Sequence, residues 1–189
     1  MNIGNFYLQT YDKFEFAGLI EITPKIFHDN RGHFLETYSR DSFLTHELPE
    51  FNSQDNQSFS YQGTLRGLHF QKYPYEQGKL VRCVSGRVYD VAVDLRENSQ
   101  TFKKWKSLEL SGKKQNMLYI PDGCAHGFIA LEDSIVAYKC TQPYNQSAES
   151  GIIWNDPVIN IAWPIEPKII SEKDQRWPRL NELIPLIQI

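Results

Sequence analysis

Apolar residues recur along this chain mostly with a period of two. From Arg87 to Leu95 the alternation is clean, with Tyr89, Val91, Val93 and Leu95 on one face and Val88, Asp90, Ala92 and Asp94 on the other. That period marks a strand, here carrying an acidic pair opposite its apolar side. Leu19–Thr23, stopped by Pro24, is the first clear strand, because residues 1–17 are polar and aromatic without a period. Phe27–Tyr38 contains a turn at Asp29–Gly32 leading into a strand that would set Phe34, Glu36 and Tyr38 on one face. Gly63–Gln71 and Gly78–Gly86 read as two strands joined by a loop. Strict alternation from Thr64 puts Arg66 and His69 on opposite faces, so they point the same way only if the ladder slips at Gly67. An irregularity is therefore expected there. Thr101–Leu110, Gln115–Ile120, Phe128–Leu131 and Ser134–Thr141 complete the series. A turn over Pro121–Gly127 precedes the third of these, and the last holds Val136, Tyr138 and Cys140 on one face.

Between these segments Arg40–Leu48 reads as a short helix, capped by Asp41 or Ser42 and stopped by Pro49. Phe51–Ser58 is rich in amides; it can be an exposed loop or a strand whose amides face a ligand, and composition favours the loop. Beyond Asn155 the chain is punctuated by prolines, and Ser171–Asp174 has the pattern of a helix start with Ser171 as cap. About eight or nine short strands with turn signals between them predict an all-β jelly-roll barrel with short peripheral helices. One domain over residues 1–189 is expected, with a core of about 19–165 and a C-terminal tail packed on the barrel.

Charge narrows the partners. Twenty basic against 23 acidic residues give a formal net charge of -3, with no basic run, which argues against nucleic acid. The first residues lack the charged flank and apolar centre of a secretory signal, and no apolar run is long enough to span a membrane, so a cytoplasmic protein is expected, with no membrane partner. Cys83, Cys124 and Cys140 are odd in number and embedded in strand-like sequence, as reduced, buried thiols would be.

Nine segments in order resemble one family: Asp29–Gly32, Gln54–Asn56, Leu65–Gln71, Gly78–Arg82, Val91–Leu95, Ile120–Phe128, Tyr138–Thr141, Ile153–Pro157 and Ser171–Asp174. Together, over residues 19–180, they are similar to the dTDP-4-dehydrorhamnose 3,5-epimerase family. The resemblance implies a cupin-type jelly roll, a homodimer that exchanges strands, and a dTDP-linked 4-keto-6-deoxy sugar as substrate. It implies no metal and no organic cofactor, and a place in making dTDP-rhamnose for surface polysaccharides. The implied reaction is epimerisation at carbons 3 and 5 of dTDP-4-dehydro-6-deoxy-D-glucose. By matching positions, His69 is the base, Asp174 its partner, Tyr138 the acid across the sugar and Lys79 the cation near the ketone oxygen. Arg31 and Arg66 match contacts to the diphosphate, and Glu36, Gln54 and Asn56 match the part handling the nucleotide, with Phe34 stacking on the base. Asp90 and His126 match residues lining the site.

Each residue also has a plainer reading. A strand histidine such as His69 is usually just hydrogen-bonded, Lys79 and Arg66 alone would be solvated charges, and Tyr138 a half-buried aromatic. Asp174 could close a capping box, and Asp90 could pair with Arg82 or Arg87 across neighbouring strands. His28, His33 and His46 read as surface residues. Three features depart from the family pattern: Cys124, His33 and Gln142-Pro143-Tyr144. Pro143, which borders the sugar, leaves open a single-site epimerase. The rivals from other classes are a metal-dependent cupin enzyme, with His126 as a ligand, and a non-catalytic sugar nucleotide binding module.

Overall fold

The computed structural model describes residues 2–183. In chain order its elements are β1 (Asn2–Ile3), β2 (Phe6–Thr10), α1 (Lys13–Phe16), β3 (Ile20–Pro24), β4 (Ile26–Asp29), β5 (Gly32–Leu35), α2 (Arg40–Thr45), β6 (Gln54–Ser60), β7 (Thr64–Gln71) and β8 (Lys79–Ser85). They continue with β9 (Arg87–Asp94), β10 (Trp105–Ser111), β11 (Met117–Ile120), β12 (Cys124–Ala130), β13 (Ser134–Cys140), β14 (Glu149–Gly151), β15 (Ile169–Ile170), a 3-10 turn (Asp174–Arg176) and α3 (Leu180–Leu183). The protein is all-β, a cupin-type jelly-roll barrel with short helices at its periphery.

Two sheets face each other. The first runs β1-β2-β3-β11-β8-β13-β6 and the second β10-β9-β12-β7-β14, with β15 added parallel to the start of β7. Between them Val81, Cys83, Leu118, Ile120 and Val136 meet Val88, Ala92, Leu110, Cys124, Phe128 and Ala130. The outer face of the second sheet is covered as well, since Val91, Val93 and Leu95 pack under Ile152, Ile159 and Leu180 from the C-terminal segment. The acidic face of β9 thus points into the barrel, where Asp90 and Asp94 each find a cationic or imidazole partner.

Several expectations are corrected. The segment before β3 contributes to the core rather than preceding it: Phe6 and Phe16 are fully buried, and β2 pairs with β3 from Phe6↔Pro24 to Thr10↔Ile20. Helix α2 is capped at Ser39, with no side-chain cap bond, rather than at Asp41 or Ser42. The amide-rich segment is a strand, because β6 pairs with β13 along its whole length. Cys124, Ala125 and His126 belong to β12, so the preceding turn is confined to residues 121–123. Phe34, Glu36 and Tyr38 do not share a face, since β5 ends at Leu35 and Tyr38 turns in to pack edge-on against Phe43 and Phe51.

Two local features position the site. Between β7 and β12 the pairs are His126↔His69 and Phe128↔Arg66, so Gly67 and Leu68 together oppose Gly127 alone. This bulge is the slip expected at Gly67. Gly67 has φ +135°, and a Cβ there would lie 2.6 Å from the Gly127 Cα, a distance only glycine allows. Among the described residues the hairpin β4–β5 pairs with no other strand, and it carries exposed Phe27 and Phe34 on one face.

Candidate active site

A cavity of about 420 Å³ opens between the sheets at one end of the barrel. β6, β8 and β13 of the first sheet supply Gln54, Asn56, Ser58, Lys79, Tyr138 and Cys140; β7, β12 and β14 of the second supply Arg66, His69, Gln71, His126, Phe128 and Glu149. His69 and Tyr138 therefore stand on opposite walls. Because of the bulge, Arg66 and His69 reach the same space.

His69 Nε2 lies 2.6 Å from Asp174 Oδ1, and Asp174 is only 3% exposed. The other carboxylate oxygen accepts from the Gly67 N–H, and Trp177 Nε1 also donates to the carboxylate. Burial works against the charge of Asp174, but the hydrogen bond and charge of His69, joined by those two donors, outweigh it and hold the carboxyl below its ordinary value. A carboxylate on Nε2 places the ring proton there and leaves Nδ1, which has no partner among the described residues, as the basic nitrogen. Ser171 Oγ accepts from the Asp174 N–H, so the backbone half of a capping box exists while the carboxylate serves His69 instead.

Lys79 is buried and, among the described residues, donates a single, long hydrogen bond, to the His69 carbonyl at 3.5 Å. Burial lowers its pKa, against the pull of Cys140 and Asp90. Burial likewise raises the pKa of the Tyr138 phenol, which keeps its proton at neutral pH. A second imidazole–carboxylate pair lies deeper: His126 Nε2 is 2.9 Å from Asp90 Oδ2, with the carboxylate fully buried. Asp90 thus backs His126 rather than lining the cavity, and does not pair with Arg82 or Arg87. Arg87 is bound instead to Glu109 and Glu132.

Arg66 holds its guanidinium at the rim by donating to Ser60 Oγ and the Phe59 carbonyl, leaving its charge without a carboxylate. Gln54 and Asn56 line the cavity, hydrogen-bonded to each other at 2.8 Å. Two predicted residues are not brought here. Arg31 is 85% exposed on the projecting hairpin and paired with Asp29, and Glu36 accepts from Asn5 at the hairpin's base. Sequence reasoning missed Ser58, Tyr144, Glu149 and Lys173. Ser58 Oγ is buried with no hydrogen-bond partner among the described residues, an unsatisfied group that points to a ligand. The one signal for it was its even spacing from Gln54 and Asn56. Among the described residues no three His, Cys, Asp or Glu side chains gather as a metal site would require.

A sequence model of dTDP-4-dehydrorhamnose 3,5-epimerase matches residues 13–182. The chain belongs to the dTDP-4-dehydrorhamnose 3,5-epimerase family. The epimerase of that name from Methanothermobacter thermautotrophicus is 48% identical, over 87% of this chain and 91% of its own. The crystal structure of the Sulfolobus tokodaii epimerase superposes with a TM-score of 0.87 at 43% identity, covering 94% of this chain and 97% of the other. An epimerase from Legionella pneumophila, solved in complex with dTDP-4-keto-L-rhamnose, is 38% identical with a TM-score of 0.87, over 96% and 97% of the two chains. Within this epimerase family the protein is an enzyme, an isomerase acting on carbohydrate.

Proposed function

We propose that the protein inverts carbons 3 and 5 of dTDP-4-dehydro-6-deoxy-D-glucose, giving dTDP-4-dehydro-L-rhamnose. The 4-ketone acidifies the hydrogens on both neighbouring carbons. His69 Nδ1 removes one of them, and the carbon–hydrogen electron pair moves into the ring as the ketone becomes an enolate. The Lys79 ammonium stabilises that oxyanion, and a cation in a dry site is far more effective there than in water. Tyr138 then gives its phenolic proton to the opposite face of the same carbon. Solvent takes the proton from the imidazolium and restores the phenol, so each inversion balances. Asp174 favours the imidazolium in the first half of the step. His126, fixed through Nε2 by Asp90, offers Nδ1 to the substrate, Arg66 pairs with the diphosphate, and Gln54 and Asn56 serve the nucleotide side.

One observation carries this reading: a base and an acid stand on opposite walls of one cavity that also holds a buried cation. For Arg31, Glu36 and Phe34, the projecting hairpin supports an exchanged homodimer in which each arm completes the partner's site. Incubation with dTDP-4-keto-6-deoxyglucose in deuterated water is the test. Deuterium at carbons 3 and 5 is expected. Exchange at one carbon alone would reassign the protein as a single-site epimerase, the reading Pro143 leaves open, and exchange at neither would reject both.

A further inference from the structure

Residues 142–145 link Tyr138 and Cys140 on β13 to Glu149 on β14 and set Tyr144 in the wall of the cavity. Among the described residues no backbone-to-backbone hydrogen bond reaches residues 142–144. Three glutamine side chains, all lining the cavity, hold the segment instead. Gln71 Nε2 donates to the carbonyls of Pro143 at 3.2 Å and Tyr75 at 2.6 Å, and its Oε1 accepts from the Asn145 N–H at 2.7 Å. Gln77 Nε2 donates to the Gln142 carbonyl at 2.7 Å, and Gln54 Oε1 accepts from the Tyr144 N–H at 2.8 Å. The wall so held carries Tyr144, whose hydroxyl donates to Glu149 Oε2 at 3.0 Å while Lys173 donates to Glu149 Oε1 at 2.6 Å.

We propose that Gln71 is a positioning residue for specificity: by tying residues 143–145 to the 72–77 loop it sets how the sugar lies over His69, and so the balance between exchange at carbon 3 and at carbon 5. This rests on the function proposed above. Gln71 is 5% exposed, and its amide uses both donors and its acceptor on backbone groups that have no backbone partner among the described residues. Replacing it removes three bonds at once from a segment without ladder support. The two acidic carbons flank the ketone on either side, so one base reaches both only if the ring lies level beneath it. A tilt brings one hydrogen nearer and takes the other away. A displacement of about 1 Å can cost about a hundredfold in proton transfer, so the ratio of the two exchanges is a sensitive gauge of the wall.

The test uses Gln71→Met, close in size but without the hydrogen bonds, and the milder Gln77→Met, which removes one. Deuterium incorporation at carbons 3 and 5 is followed together, because a loss of folded enzyme scales both rates equally and leaves their ratio alone. Gln71→Met is expected to change the ratio about tenfold, with a smaller shift in the same direction for Gln77→Met. Native-state hydrogen exchange of the Asn145 amide, independent of any activity, is expected to speed up about tenfold or more in Gln71→Met. An unchanged Asn145 amide overturns the brace. A faster amide with an unchanged ratio overturns its role in specificity. If the unmodified enzyme exchanges neither carbon, the proposed function fails and the specificity role with it, while the amide measurement still decides whether the brace exists.

Discussion

The ammonium of Lys79 illustrates how one buried charge links stability to activity. Its pKa is lowered from 10.5 by burial, so the unfolded chain binds its proton more tightly and stability rises as the pH climbs through the folded value toward 10.5. Activity moves the other way, because the neutral amine stabilises an enolate less. The alkaline limb of kcat/KM should therefore fall below pH 10.5. Lys79→Arg, charged at every accessible pH, should lower kcat/KM but remove that limb. A pH–rate profile of both proteins checks this; a limb that persists in the arginine variant would assign it to another group. At Asp174 the stability slope has the same sign but lies in the acid range. Its folded carboxyl titrates below its ordinary 3.8, so the hydrogen bonds made to the carboxylate contribute stability that is present above 3.8 and disappears as the pH falls through the folded value. Asp174→Asn should cost about 2 kcal/mol at pH 7, a difference that shrinks toward zero in acid. Urea denaturation at pH 7 and at the lowest pH the fold tolerates measures it, and a gap independent of pH would mean that packing, not charge, is what Asp174 provides.

At the scale of elements, the bulge between β7 and β12 turns a period-two strand into one that aims an arginine and a histidine at the same cavity. Gly67→Ala would bring a Cβ within 2.6 Å of the Gly127 Cα and 3.2 Å of the His126 carbonyl, both backbone atoms that cannot swing aside. It should cost about 2 kcal/mol or more in urea unfolding and lower kcat along with it. A stable, fully active variant would show that the slip is not what aligns the two side chains. This feature was legible beforehand because strict alternation puts Arg66 and His69 on opposite faces, so they reach one side only if the ladder slips, and Gly67 between them is where it can. The core strands β9 and β13 were legible for the same reason, their apolar faces being read directly from a period of two. Strand β6 was not. Its inward residues Gln54, Asn56 and Ser58 face the cavity rather than the core, and its outward ones are exposed, so neither side shows the hydrophobic signal that marks a strand. Tyr144, Glu149 and Lys173 were invisible for a related reason. Each is an ordinary polar residue in sequence and joins the site only because β14 and the C-terminal segment fold back along β7.

For the whole molecule, the decisive asymmetry is between what the barrel holds and what the β4–β5 hairpin carries away from it. His69, Tyr138, Lys79 and Arg66 share one cavity, whereas Arg31, Phe34 and Glu36 lie on or at the base of an arm whose side chains are mostly solvent-facing. Exposed Phe27 and Phe34 stack at 6.4 Å on one side of that arm, an apolar surface that a lone chain leaves wet and a second copy would cover. If each arm completes its partner's site, a two-fold dimer has two hybrid sites, and mutations in the barrel and in the arm must complement each other. His69→Asn lacks its base, and Arg31→Ala should bind the diphosphate poorly, raising KM for the dTDP-sugar with kcat less affected. Mixed as unfolded chains and refolded together, the two variants form heterodimers in which one site has an intact His69 and receives an intact arm. Random pairing makes about a quarter of all sites whole, so the mixture should regain about a quarter of normal activity at substrate concentrations where either variant alone is nearly silent. Activity no greater than the average of the two parents would place Arg31 in its own chain's site, or outside the reaction altogether.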